Sequence, residues 1–204
     1  MLIFALVKIH QMYNYMDMIT SLLELEKAFR IETLSKITNY DIFFKALAES
    51  LFNNFQIRNG NDIFRFVEIE FYLRATESES RKIAYERETR AGEWFLHDNG
   101  VDIAFESNKD FYGGILIRSL KKSRSYSIDG EFINGPRKCS WHILDGLNAF
   151  GHNERLPIIE EASIQENIES KTFTRHGIKD DDKLFRFTIP LKLWNHKGYT
   201  GFPK

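Results

Sequence analysis

Two short stretches of this sequence place ionisable and aromatic side chains where they could act together. In the run from Ile63 to Leu73, Glu68, Glu70 and Tyr72 occupy alternate positions, and alternate positions of an extended strand share one face. In Ile115-Leu-Ile-Arg118-Ser-Leu120 a guanidinium sits near the end of an otherwise apolar run. Arginine cannot shed its charge, so a buried Arg118 must find a carboxylate or several carbonyls. Glu70 is the natural partner. Such a pair in a cleft can hold a water, with Glu70 as general base and Arg118 as the orienting group. A plain strand-to-strand salt bridge would use the same two residues. Tyr72 adds a flat ring suited to stacking on a planar ligand such as a nucleobase, and ordinary packing at a strand end is the alternative.

Other chemistries find less support. The six histidines (10, 97, 142, 152, 176 and 196) show no HxxxH or HxH spacing, so no metal site is expected. Gly113-Gly114 precedes a strand rather than a helix, which is wrong for a phosphate-cradling loop. No nucleophile elbow occurs. The single cysteine, Cys139, excludes an intrachain disulfide and reads as a small core residue. No cofactor is expected.

The elements that must position these residues follow from periodicity and turn signals. Leu22, Leu23, Leu25, Ala28 and Phe29 recur at near-helical spacing, so residues 1–40 read as a helical extension. A second helix is predicted from Asp41, as N-cap, through Leu51. Asn59-Gly60-Asn61-Asp62 is a turn between two extended runs. In the second run Ile63, Val67, Ile69, Phe71 and Leu73 form an apolar face, interrupted by Arg65, and the Glu68–Tyr72 face is its polar opposite. Residues 74–91 are dense in charge and read as a long loop, with a short helix expected only around Ser80 to Tyr85. Beyond it come Trp94-Phe95-Leu96, a turn at His97 to Gly100, and a strand from Val101 to Phe105. Gly113-Gly114 opens the Arg118 strand. Gly135-Pro136 starts a helix reaching Leu147, and Leu184 to Ile189 is a last strand stopped by Pro190.

With 204 residues the chain fits one sizeable domain. Its 18 Phe argue for a thick aromatic core or stacking surfaces. The formal net charge of -1 means the chain is not globally basic, whereas phosphate neutralisation supplies much of a DNA binder's affinity. A local stripe remains available from Arg81, Lys82, Arg87 and Arg90, then Lys121, Lys122 and Arg124, then Arg137 and Lys138. The Met1–Val7 run is apolar but short, and no stretch approaches the ~20 apolar residues that span a bilayer. No membrane association is expected, and cytoplasmic residence is the default.

Taken in order, these segments resemble the alkylpurine (3-methyladenine) DNA glycosylases. Arg65-Phe-Val-Glu-Ile-Glu-Phe-Tyr72 is similar to the family's Val-Glu-x-Glu-Ala-Tyr strand, Ile115–Leu120 to its Val-Leu-(Ile/Leu)-Arg-Ala-Leu strand, and Gly135-Pro-Arg-Lys-Cys139 to its Gly-Pro-x-Lys-Leu-Cys segment. Arg175-His-Gly-Ile178 and Leu184-Phe-Arg-Phe187 are similar to its closing segments. The resemblance spans roughly residues 41–195. It implies an α+β fold: one domain, 41–204, with a curved, mostly antiparallel sheet flanked by helices, after the extension at 1–40. It also implies Glu70 as catalytic base, Arg118 as holder of the catalytic water and Tyr72 as the ring that stacks on an extruded base. Tyr85, in Ala84-Tyr-Glu-Arg87, replaces the family's histidine, and Asp102 aligns with its strand asparagine. Trp94 and His97, on a hairpin shorter than the family's intercalating one, complete the expected substrate-binding set. The activity implied is base excision repair: hydrolysis of the N-glycosidic bond of an alkylated purine in DNA by a monomer. The alternative is a non-catalytic module that binds DNA or a nucleobase-like ligand.

Overall fold

Long strands with non-local partners dominate the computed structural model, which describes residues 18–75, 83–150 and 156–196. Strand β1 (Phe55–Asn59) turns through Gly60 into β2 (Asp62–Arg74), with Asn59 opposite Asp62. Gly60 holds φ at 62°, a conformation that favours glycine in a two-residue hairpin. The other strands are β3 (Trp94–His97), β4 (Gly100–Ala104), β5 (Tyr112–Lys122), β6 (Glu131–Asn134), β7 (Ile158–Glu161), β8 (Lys171–Phe173) and β9 (Arg186–Thr188). The main path runs β3-β4-β5-β2-β1-β7, with β6 beside β5, β9 beside β2 and β8 beside β9. Every pairing among the described residues is antiparallel. The class is α+β.

The helices are α1 (Leu22–Phe29), α2 (Ile31–Leu34), α3 (Tyr40–Asn54) and α4 (Pro136–Ile143). A capping box starts α1, with Ser21 and Glu24 each satisfying the other's backbone N–H. The cap of α3 is Asn39 rather than the expected Asp41, because its side chain accepts from the Ile42 N–H at 3.2 Å. That helix also runs three residues past Leu51, to Asn54. There the Asn53 amide donates to the Ile168 carbonyl and the Asn54 amide to that of Ile19. Leu25, Ala28, Phe29 and Leu34, within the stretch read as an extension, belong to the same buried cluster as the sheet.

One face of the sheet packs on α3, and phenylalanines fill the space. Phe44 stacks on Phe71 with ring centroids 4.3 Å apart and meets Phe185 edge to face at 4.9 Å. Phe105 joins the stack, an arrangement that adds a specific aromatic contribution to the area buried. Arg65, the interruption in the apolar face of β2, is fully buried and caps the end of α3 by donating to the Phe52 and Asn53 carbonyls at 2.6 and 3.1 Å. These carbonyls have no partner within the helix, and a cation suits that end of the dipole.

The opposite face of β2 is where the strand reading needs correction. Glu68, Glu70 and Tyr72 are on the polar side as expected, but that side is covered, and both glutamates are fully buried. Two register irregularities, between Phe66 and Glu68 and between Glu68 and Ile69, interrupt its pairing with β5. Bulges of this kind re-aim side chains. Helix α4 ends at Ile143 rather than Leu147, with Gly146 at φ 84° and Leu147 exposed. The last strand is only Arg186–Thr188. The helix expected at Ser80 to Tyr85 lies partly outside the described residues, and its described end, Ile83–Tyr85, is not helical. No helix among the described residues is long and apolar enough to cross a membrane.

Candidate active site

One transverse row of the sheet carries the chemistry. Phe95 pairs with Asp102, Asp102 with Leu116, Leu116 with Glu70, Glu70 with Arg186, and Arg186 with Phe173. Directly opposed residues of neighbouring strands project to the same face, so β3, β4, β5, β2, β9 and β8 present one continuous line of side chains. Residues two positions away, Glu68, Tyr72 and Arg118, extend that face.

At the centre, two carboxylates and two guanidiniums are buried together. Glu70 Oε2 accepts from the Tyr72 hydroxyl at 2.8 Å and from Arg118 Nη1 at 3.1 Å, and its Oε1 accepts from the His176 backbone N–H at 2.7 Å. Glu68 Oε1 accepts from Arg186 Nε at 2.6 Å and lies 3.3 Å from Arg118 Nε, while its Oε2 accepts from the Ser119 hydroxyl. Arg118 and Arg186 are 6% and 2% exposed. Neither charge type is in excess, which is the condition for burying ions at all. Glu70 and Arg118 therefore touch directly rather than across a water. Burial pushes the Glu70 carboxyl above its ordinary value against the opposing pull of Arg118, the His176 N–H and the Tyr72 hydroxyl. Burial, with Glu70 next to it, pushes the Tyr72 phenol up as well, so it stays a proton donor.

The loop after β8 supplies the His176 N–H. Arg175 donates from its backbone N–H and Nε to Asp181 Oδ2, both at 3.0 Å, and from Nη2 to Oδ1 at 2.9 Å. This bidentate clamp sets the guanidinium carbon of Arg175 5.2 Å from the centre of the Tyr72 ring. His176 is largely exposed, but partial desolvation of its ring, followed by repulsion from Arg118 and Arg186, lowers its basicity.

A second polar cluster lies on β4. Asp102 Oδ2 accepts from Arg87 Nη1 at 2.7 Å, and its Oδ1 is 2.9 Å from His97 Nε2. The Asn99 backbone N–H donates to His97 Nδ1, so the neutral ring carries its proton on Nε2 and donates to Asp102. Arg87 also lies over the Phe95 ring, 3.9 Å from its centre. Gly114 makes room for it: a Cβ there would stand 3.2 Å from Arg87 Nη1 and 2.9 Å from the Ile103 carbonyl oxygen. Tyr85 closes the rim, its ring 4.8 Å from that of His97 and its hydroxyl accepting from the Asn99 amide at 2.9 Å.

Between the clusters is a cavity of about 300 Å³ walled by Tyr72, Tyr85, His97, Asp102, Leu116 and the His176–Ile178 turn. A wider one of about 550 Å³ adjoins it, sharing Tyr72, Asn99, Leu116, His176 and Gly177. The wall of the smaller cavity is polar as well as apolar, with Arg87, His97 and Asp102 beside Tyr85, Leu116 and Ile178, so a ligand there is met by several convergent polar groups. The arrangement can hold a flat guest beside Tyr72 and offer it acceptors and N–H donors, with the Glu70 carboxylate buried one layer behind the Tyr72 hydroxyl.

Six of the seven residues singled out from sequence come together here: Glu70, Tyr72 and Arg118 in one cluster, Tyr85, His97 and Asp102 in the other. Trp94 does not join them. One position before Phe95, it faces the other side of the sheet, packs against the core and donates from Nε1 to the Pro157 carbonyl at 3.0 Å. Sequence reasoning missed Arg186 as a charge partner and Arg87 as anything but surface charge. A cation inside an apolar strand was the only available signal for Arg186. Cys139 is buried, donates to the Ile133 carbonyl, and has its thiol pushed up by burial, so it is core. Comparisons with protein-family models, curated proteins and solved structures find no match for this chain.

Proposed function

We propose that this chain hydrolyses the N-glycosidic bond of a modified purine, with Glu70 as general base. The observation that carries the reading is the direct contact of Glu70 with Tyr72, which lines both cavities, and with Arg118, which lines the larger; Glu70 itself is buried behind them. Tyr72 stacks on the base with the ring face turned away from Arg175. Asp102 and the His97 pair contact the edge of the base. Glu70 Oε2 already takes two donors, whereas Oε1 takes one, the His176 N–H. A carboxylate oxygen has two acceptor positions, so Oε1 receives the proton of the water that attacks the sugar carbon. The glycosidic electron pair leaves with the base. An alkylated, electron-poor base is a good leaving group, and modest general-base help suffices. The same reading assigns the sheet to the glycosylase-like architecture, supported by the pairing of its two motif strands as β2 and β5.

The test is release of free base from alkylated DNA, followed by chromatography. Glu70→Gln should slow release by at least about 100-fold, the lower end of what a positioned base contributes. Equal release by both proteins, or none by either, rejects the mechanism. One observation favours the second reading, a binding module without turnover: Glu70 is fully buried and holds three donors, as a structural anion would. In that case the wild type binds base or strand and releases nothing.

A further inference from the structure

The larger cavity differs from the smaller in charge. It adds Arg118, Arg137 and Lys138, and no carboxylate is among its lining residues. Arg118 is engaged with Glu68 and Glu70, but Arg137 and Lys138 are exposed at the opening. Three other members of the expected basic stripe are engaged elsewhere. Arg87 is consumed by Asp102, Lys121 is buried with its amine on the Tyr126 carbonyl, and Lys122 pairs with Asp62 at 2.9 Å. Arg81 and Lys82 lie outside the described residues. A ligand presenting one or two phosphates finds partners at this opening.

The rim excludes a second feature. Removing a base from a duplex costs stacking and pairing, which proteins offset by inserting an apolar or aromatic wedge. Here the turn over the cavities is Asp98-Asn99, polar and two residues long. Arg137 Nε donates to the Asp98 carbonyl at 2.8 Å and ties that turn to α4. Tyr85 is held back against His97 and Asn99. No aromatic side chain projects from the turn.

We propose that the two cavities together take one unpaired nucleotide, its base in the smaller and its sugar-phosphate against Arg137 and Lys138 in the larger. The substrate class is then a nucleotide in a single strand, or a free nucleotide, and not a base within a duplex. This rests on reading the smaller cavity as a base pocket.

The experiment is fluorescence anisotropy with a short, dimethyl-sulfate-methylated oligodeoxynucleotide, single-stranded and annealed to its complement, with methylated guanosine and its monophosphate as competitors. The single strand should bind at least about tenfold more tightly than the duplex, because the duplex must first be opened. In a strand the nucleotide carries a phosphate on each side, one for Arg137 and one for Lys138, so at about -0.7 per contacted phosphate the salt slope is near -1.4 and affinity falls about sevenfold between about 50 and 200 mM salt. Lys138→Ala should bring that slope to about -0.7, and Arg137→Ala with Lys138→Ala close to zero, with melting temperature as the folding control. A monophosphate that competes as well as the strand identifies a free nucleotide as the source; a much weaker one identifies a strand. Both keep the inference. Duplex binding as tight as single-strand binding overturns it. If methylated guanosine raises the melting temperature but neither phosphate nor Lys138 matters, the base pocket stands and this inference falls. If neither nucleoside nor strand binds, both fall.

Discussion

Replacing Arg186 with methionine tests whether the buried cluster is held by charge balance. The cluster contains Glu68, Glu70, Arg118 and Arg186, two anions and two cations, none more than 6% exposed. Arg186→Met removes the 2.6 Å bond to Glu68 Oε1 and leaves one buried negative charge without compensation. Breaking a buried pair from one side costs about 3–5 kcal/mol, a large part of the roughly 5–15 kcal/mol that holds a domain together. At about 2–4 °C per kcal/mol for a chain of this size, the melting temperature should drop by about 6–20 °C. Adding Glu68→Gln restores neutrality, so the double variant should be more stable than the sum of the singles by about 1–3 kcal/mol, the coupling expected of residues in one network. Urea unfolding followed by circular dichroism measures all four corners of the cycle. A loss below about 1 kcal/mol for Arg186→Met, the scale of an exposed ion pair, refutes the reasoning, as does strict additivity.

Two further expectations concern pH. Because burial raises the Glu70 carboxyl, and a base works only when ionised, the acid limb of kcat/KM should have its midpoint above 4.5, the ordinary value; a midpoint at or below that value removes Glu70 as the base. Asp181 moves the other way. Burial works against its ionised form, but the Arg175 bonds outweigh it and hold the carboxyl below 3.8. A lowered folded value means the contribution is present above 3.8 and is lost as pH falls through that lower value. Asp181→Asn should therefore lower stability at neutral pH and flatten its decline in acid, while an unchanged acid profile counts against the clamp.

Much of the local structure was legible in the residues themselves. Asn59-Gly60-Asn61-Asp62 and His97-Asp98-Asn99-Gly100 both form the expected reversals, because turn geometry depends on a few adjacent φ and ψ angles. The alternation in β2 put Glu68, Glu70 and Tyr72 on one side, since strand periodicity is a property of the backbone alone. Arg118 as the partner of Glu70 followed from the cost of burying a lone charge.

What surrounds those groups was decided by pairing across long separations. Glu70 and Arg118 are 48 residues apart in sequence, Glu68 and Arg186 118. Nothing in local spacing says that β9 rather than another segment lies on the free edge of β2, or that Asp102 falls in the same row as Glu70. Register is set by which faces are buried and by how the bulges at Glu68 shift the ladder. The same tertiary packing turned Arg65 into a helix cap and Arg87 into a buried partner of Asp102. A side chain's type limits the chemistry it can do; only the neighbours brought to it by the fold determine whether its charge is paired, buried or offered to a ligand.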